Sequence, residues 1–360
     1  MSAVPLPTPA TVQVVGLAGI GEVRAGDDLA ELLLAALTAA GTPLQDGDVV
    51  AVSSKVVSKA MGLTVPAADR EGAVDRSTVR TVAARRTPSG LARIVEATAG
   101  PVMAAAGVDA SNVADGTVLV LPPDPDAAAR AVRDGLAAAT GARVGVVVTD
   151  TAGRPWREGQ VDFALGAAGL AVVDDLRGGL DSAGREMSVT SRVVVDEVAA
   201  AADLVKGKTD GVPAALVRGL GDWVTPEDGR GARSLVRAAA GDWFRFGHVE
   251  AVRASVGAAH VEPPSVVPAT ARGVLDRVAQ VATAGGPGAC LVHPTDDPTD
   301  HQGDDHGDDG PGHLLLTADD DFALGLLTQR TLAALWIEDL TAPVERTADG
   351  VVLRPVPAGG

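Results

Sequence analysis

Apolar residues in this chain gather in short, β-branched runs set off by glycine and charge, with longer stretches of helical period between them. Residues 144–148 form one such run, bounded by Gly141 and by Thr149-Asp150, which predicts a strand buried on both faces. Runs at 12–15, 48–53 and 213–218 read the same way, and further strands are predicted at 92–96, 102–106, 117–121 and 170–173. Helical spacing opens at Asp27-Asp28, carries Leu29, Leu32, Leu33, Ala36 and Leu37, and stops at Gly41. Two more helices are predicted at 124–140, opened by Asp-Pro, and at 194–204. The charged segment 70–86 reads as helical in its second half. Strands bounded by helices without strict alternation predict a mixed α/β or α+β fold.

From Gly221 the composition shifts, which marks a border. Residues 1–245 are expected to form the catalytic domain and 246–260 a linker helix, packed onto that domain by Trp243, Phe244 and Phe246. A small C-terminal α/β unit of unknown role is expected over 261–360. Within it, helices are predicted at 272–283 and 322–336 and strands at 290–293, 314–317 and 351–354. Its loop 296–313, DDPTDHQGDDHGDDGPGH, mixes His with Asp and could take up metal adventitiously, but its low complexity reads as a disordered surface loop.

Composition narrows the function. Aromatic residues make up 2% of the chain and tyrosine is absent, which argues against stacking on single-stranded nucleic acid. The formal charge of −17 disfavours a polyanionic partner in bulk. The lone Cys290, in apolar surroundings, fits a reducing compartment, and no run reaches membrane-spanning length. A cytoplasmic protein without nucleic-acid or membrane partners is expected. Of 30 basic residues only four are lysine, and these fall in two clusters, Lys55 with Lys59 and Lys206 with Lys208. Lysine offers a compact charge suited to phosphates; chance clustering on a solvated face is the plainer alternative.

The polar stretch after the 144–148 run is the densest candidate site. Asp150 leaves the strand, followed by Thr151, Gly153, Arg154, Trp156, Arg157, Gln160 and Asp162. A carboxylate and a hydroxyl can hold a hard divalent cation, and the arginines can pair with phosphate or carboxylate. The alternative is that Asp150 caps a turn and the arginines are solvated. Residues 16–26 form a glycine-rich loop before a helix start, which offers an anion cradle but matches neither the dinucleotide nor the P-loop fingerprint. The 48–53 strand delivers Ser54, Lys55 and Lys59. Gly107 breaks another run and exposes Asp109, Ser111 and Asn112. Asp109 and Asp150 are thus two carboxylates at comparable strand ends, as a metal-nucleotide site requires, although an Asx-turn explains Asp109 equally well.

With these residues in hand, the first 220 or so resemble the coenzyme F420-0:γ-glutamyl ligase family, including the N-terminal half of the actinobacterial two-domain form. The matching strings are GIGEVRAGDDL, DGDVVAVSSKVVSKA, MAAAGVDASN, LPPDPDAAA, VVVTDTAGRPWREGQVDFALGAAGL, ADLVKGK and PAALVRGLG, in order along the chain. The resemblance implies a homodimer that uses GTP with Mg²⁺ or Mn²⁺, and K⁺ as a further cation, to join L-glutamate to coenzyme F420-0. It implies metal ligands at Asp109, Asp150 and Thr151. It implies nucleotide contacts at Ile20, Gly21, Glu22, Val23, Ser54, Lys55, Lys59, Asn112, Lys206, Gly207 and Lys208. Asp109, Asp150, Arg154 and Arg157 are the expected catalytic set. A metal-dependent phosphohydrolase and a non-catalytic nucleotide or coenzyme binder are the competing classes. Three positions depart from the family pattern: Gly21 replaces a proline, Thr98 stands in a string that usually carries a basic residue, and Lys208 stands where archaeal members have an amide metal ligand and the actinobacterial type has lysine. The flavin-binding half of the two-domain enzymes is not recognisable in the tail.

Overall fold

The computed structural model describes residues 11–87, 90–237, 241–258, 271–293 and 312–358. It divides into two compact units, Met1–Arg80 with Val95–Gly241, and Thr81–Ile94 with Asp242–Gly360. The architecture is α+β.

In chain order the first unit contributes β1 (Gln13–Leu17), α1 (Leu29–Ala39), β2 (Val49–Ser53), α2 (Ser54–Ala60), β3 (Thr64–Pro66) and α3 (Arg70–Arg76). Next come β4 (Thr78–Thr87), β5 (Gly90–Ala97), β6 (Val102–Ala104), β7 (Thr117–Leu119) and α4 (Pro125–Thr140). The series continues with β8 (Gly145–Arg154), β9 (Arg157–Ala168), β10 (Val173–Asp175), β11 (Ser191–Val193), α5 (Val194–Lys206) and β12 (Ala214–Arg218). The central sheet has the order β1-β12-β2-β8-β9, in which β2 and β8 are parallel and the other pairs antiparallel.

This sheet is buried on both faces, which is why its strands read as unbroken apolar runs. Val50, Val52, Val146, Val148 and Leu216 point into one core with Leu33 and Leu37 of α1 and Leu136 of α4. Their neighbours Val49, Ala51, Val147, Ala215 and Val217 point into a second core with Val195, Val198 and Ala202 of α5. The period of two thus sorts one run of valines into two layers. Asp28 caps α1, accepting from the Ala30 and Glu31 backbone N–H groups at 2.8 and 3.2 Å. Asp124 caps α4 in the same way, with Pro125 at the first helical position and Gly141 closing the helix at φ 73°.

Three expected elements differ. The segment 70–86 is helical in its first part, not its second. From Thr78 onward the β-branched Thr78, Val79, Thr81 and Val82 extend into β4, which joins a sheet with β5 and β6. The strand expected to stop before Asp150 runs on to Arg154 and turns at Trp156, whose φ is 56°, into β9. The polar stretch is therefore a long β-hairpin instead of a loop. Its alternation is interrupted by register shifts at Val148/Thr149 and Gly153/Arg154, so the pattern does not read as one strand. Of the strand expected over 170–173, Leu170 makes only a bridge to Val224, and β10 begins at Val173.

The second unit contains α6 (His248–Ser255), α7 (Ala271–Thr283), β13 (Ala289–His293), β14 (His313–Thr317), α8 (Asp321–Ile337), β15 (Leu340–Thr341), β16 (Val344–Arg346), β17 (Val351–Leu353) and β18 (Val356–Pro357). An antiparallel sheet of order β13-β14-β17-β16 packs Leu314, Leu316 and Leu353 against Leu275 and Val278 of α7 and Leu327 and Leu335 of α8. The outer part of the β4–β5 ribbon belongs here too: Arg85 meets Glu250 at 2.8 Å, and the Gly247 N–H donates to the Val82 carbonyl. The linker helix, as α6, seats Val249 in this unit's core. Trp243, expected to hold that helix down, is 90% exposed, and Phe244 and Phe246 are exposed as well. The acidic loop 296–313 lies, apart from its last two residues, outside the described residues. Among those described, no helix is long and apolar enough to cross a membrane.

Candidate active site

The parallel register of β2 and β8 builds the site. Pairing Ser53 with Thr149 brings the next residues of both strands together, and Ser54 Oγ donates to Asp150 Oδ1 at 3.2 Å. α2 starts directly at the end of β2, capped by Ser53, so Lys55 and Lys59 stand one helical turn apart on the same face. Asp109 arrives from a strained turn. Ala105, Ala106 and Gly107 adopt φ of 48°, 53° and 73° in succession, and a side chain at Gly107 would meet Leu121 Cδ1 at 2.4 Å. Beyond that turn Asp109 accepts from Ser111 N–H at 2.7 Å, an Asx-turn, and faces Lys55 Nζ at 2.7 Å. The Asx-turn and the charged site are the same structure.

The end of α5 closes the other side. Lys206 Nζ lies 2.6 Å from Asp162 Oδ2 and donates to Thr149 Oγ1 at 2.5 Å. Lys208 Nζ donates to Thr151 Oγ1 and lies 3.7 Å from Asp162 Oδ1. Thr149 and Thr151, two apart on β8, both donate to Asp162, which is paired with Thr151 across the hairpin. Asn112, at φ 57°, reaches the Lys208 carbonyl at 3.5 Å. On the far rim Lys59 Nζ meets Glu22 Oε1 at 2.6 Å.

These groups border a cleft of about 530 Å³. Gly21, Glu22, Lys55, Lys59, Asn112, Asp150, Thr151, Lys206, Gly207 and Lys208 all line it. Ser54 is buried beneath, against Asp150, and Asp109 is reached through Lys55. Ile20 and Val23 are core residues under the glycine loop. Arg154 and Arg157 pair across the exposed tip of the hairpin and are not among the lining residues. Lys206 does not present a free ammonium to a ligand, because Asp162 and Thr149 hold it. Asp162 and Thr149 are the members of the site to which the sequence assigned no role; Asp162 stood in the polar stretch, but its partner is 44 positions away.

The three carboxylates are in different electrostatic states. Burial, with Asp162 and Asp109 nearby, pushes the Asp150 carboxyl up to about 6, against the opposing hydrogen bonds from the Thr151 N–H and Ser54. Burial also acts on Asp109 and Asp162, but Lys55 with Ser111 and Lys206 with the two threonines outweigh it and hold both below the ordinary carboxylate range. Asp150 alone has no ammonium beside it.

Four lysines here face five carboxylates, Glu22, Asp109, Asp150, Asp162 and Asp203, so the cleft carries no excess of positive charge. A polyphosphate entering it would need further positive charge. Among the described residues, no three His, Cys, Asp or Glu groups converge as a metal site. The donors that are present, two carboxylates and a hydroxyl, are hard oxygens, and one carboxylate, the half-buried Asp150, has no counter-charge beside it. That set fits Mg²⁺ or Mn²⁺ better than zinc or copper.

Fold and cleft together define an α+β domain whose cleft pairs lysines with carboxylates. The family model for F420-0:Gamma-glutamyl ligase matches residues 19–219, a stretch that contains every cleft residue, and the chain belongs to that family of ligases. It is 41% identical over 241 residues to the coenzyme F420:L-glutamate ligase of Methanopyrus kandleri, covering 62% of this chain and 94% of that relative. It is 39% identical over 251 residues to the enzyme of the same name from Methanothermobacter thermautotrophicus, covering 65% and 99%. With the Haloarcula marismortui enzyme of that name the identity is 42% over 228 residues, covering 58% and 87%. The family match ends before α6, α7 and α8.

Proposed function

We propose that this chain joins L-glutamate to coenzyme F420-0 through amide bonds, at the expense of GTP and with a divalent cation. The observation that carries the reading is Asp150, a half-buried carboxylate without an ammonium, set in a cleft whose rim carries Lys55 and Lys59. In the chemistry proposed, a coenzyme carboxylate oxygen attacks the terminal phosphorus of GTP. The phosphorus–oxygen bond to GDP breaks, GDP leaves with the electron pair, and an acyl phosphate remains. The neutral amine of glutamate then attacks the carbonyl carbon, the carbon–oxygen bond breaks, phosphate departs, and the nitrogen sheds a proton to water. The first step is needed because a carboxylate is a poor electrophile.

Asp109 and Asp150 would hold Mg²⁺ or Mn²⁺, which would supply charge neutralisation at the phosphoryl group, while the Thr151 hydroxyl is engaged by Lys208. Lys59 offers an ammonium to phosphate oxygens once Glu22, an exposed and replaceable partner, gives way. Lys55 keeps Asp109 ionised. Lys206, Thr149 and Asp162 act one layer back, fixing the position of β8 and Thr151. In this reading the enzyme works in the cytoplasm as a homodimer.

The test is incubation of the chain with GTP, MnCl₂ or MgCl₂, L-glutamate and F420-0, followed by mass spectrometry of the coenzyme. The expected result is coenzyme heavier by whole glutamate residues, with GDP and phosphate released only when both acceptor and glutamate are present. Phosphate release without glutamate would identify a phosphohydrolase, and binding without release a non-catalytic binder.

A further inference from the structure

Asp162 is neutralised twice, and the two ammoniums reach it differently. Lys206 comes from inside, on α5, with 4% of its side chain exposed. Lys208 comes from the cleft side, with 58% exposed. Residues two apart on a continuing helix would point away from each other. Gly207, at φ 60°, ends α5 and turns the chain so that Lys208 returns to the same carboxylate. There its ammonium accepts no ligand role for itself but takes the two oxygens on this edge, Thr151 Oγ1 and Asp162 Oδ1. Both are hard donors of the kind a divalent cation would use. Lysine carries three N–H donors and no acceptor, so it can fill such a position with charge but cannot ligate a metal.

We propose that Lys208 is a built-in cation at the Thr151–Asp162 edge of the cleft. It holds the place of a second metal ion, so the chain takes a single divalent cation, on the Asp150 side. The inference rests on the metal-dependent reading above and specifies its ion count. A fixed ammonium at this edge repels a second cation, and the oxygens it engages are no longer free to ligate one. It leaves Asp150, which no ammonium neutralises, as the carboxylate that calls for an added ion.

The experiment counts Mn²⁺ bound to the full chain without nucleotide, by the electron paramagnetic resonance signal of free Mn²⁺ and by calorimetry, with a thermal melt on each protein to establish folding. Wild type is expected to bind one ion per chain. Lys208→Arg, which keeps the charge, is expected to bind one as well. Lys208→Gln removes the charge and adds a carbonyl oxygen, and is expected to bind two. Asp150→Asn combined with Lys208→Gln should fall back to one. Two ions in wild type, or one in folded Lys208→Gln, would overturn the role of Lys208 while leaving the metal-dependent reading in place. No Mn²⁺ in any of these proteins would overturn that reading and the inference together.

Discussion

Lys206 and Asp162 face each other at 2.6 Å with 4% of either side chain exposed. A lysine this enclosed does not reach for a phosphate; it holds the hairpin to the end of α5. Lys206→Met should therefore act mainly on stability. It strands a buried carboxylate, for which a loss of about 3 kcal/mol is expected, at the low end for a broken buried pair because Lys208 and two threonines still face Asp162. Urea unfolding of Lys206→Met beside the double variant Lys206→Met with Asp162→Leu checks this. The double variant should recover much of the loss, and equal destabilisation of the two would contradict the pairing as the cause.

Asp109 and Asp150 should lose activity together but move stability in opposite directions. Asp150 is ionised at a cost, half-buried and partly desolvated beside two like charges, whereas Asp109 gains from Lys55. In EDTA at neutral pH, Asp150→Asn is expected to be more stable than wild type by about 1–3 kcal/mol. Asp109→Asn should be less stable, since it leaves Lys55 without its carboxylate. Glutamyl transfer should vanish in both. Full activity in either variant, or the same sign of stability change in both, would refute this division of roles.

Nucleotide affinity should respond to Lys59 more than to its partner. Lys59→Met is expected to raise the Kd for GTP about tenfold or more, the scale of a charge-assisted hydrogen bond. Glu22→Gln removes the carboxylate that now occupies the ammonium, and should leave GTP binding unchanged or tighter. Calorimetric titration with GTP separates these outcomes. A loss of binding in Glu22→Gln comparable to that in Lys59→Met would make Glu22 a nucleotide ligand in its own right.

How much of this could be read from the sequence depends on the range of the interactions. The valine runs of β2, β8 and β12 were legible because a sheet covered on both faces leaves no polar alternation to confuse them. The caps Asp28 and Asp124 were legible because capping is settled within three residues. The β8–β9 hairpin was hidden, since its polar half satisfies its backbone across strands, a partnership that composition does not record. The error over 70–86 has a similar origin. Arginines and valines there fit a helix locally, and the pairing of β4 with β5 overrides them. Asp109, Asp150 and the four lysines were found by residue type. The sequence could not show that Lys206 and Lys208 both turn to Asp162, because that depends on the backbone conformation of Gly207.

Cys290 gives a probe of the second unit. Burial pushes its thiol up to about 12, so at pH 8 only about one part in ten thousand is thiolate. Native protein should resist iodoacetamide at that pH, and reaction should appear as the unit unfolds in urea. Rapid alkylation of folded protein would mean that β13 opens readily.

The second unit is expected to be dispensable for glutamyl transfer, because every cleft residue lies in the first. Removing it is not a matter of one cut, however. A chain ending at Gly257 retains α6 without α7 and α8, and so bares Val249, now buried in the core of that unit. It also leaves the outer part of the β4–β5 ribbon, which belongs to the same unit. Such a chain should transfer glutamate but aggregate, since its exposed apolar surface has nothing to cover it. A better-behaved chain would end at Gly241 and replace residues 81–94 with a short turn, placed just beyond the ion pair of Arg80 with Glu96 at 2.7 Å. That chain is expected to keep GTP binding and transfer glutamate at a rate within about twofold of the full protein, a change worth under ~0.5 kcal/mol. Mass spectrometry of the coenzyme product, normalised to folded protein, measures it. A chain that folds and binds GTP yet no longer transfers glutamate would show that the second unit has a part in the reaction.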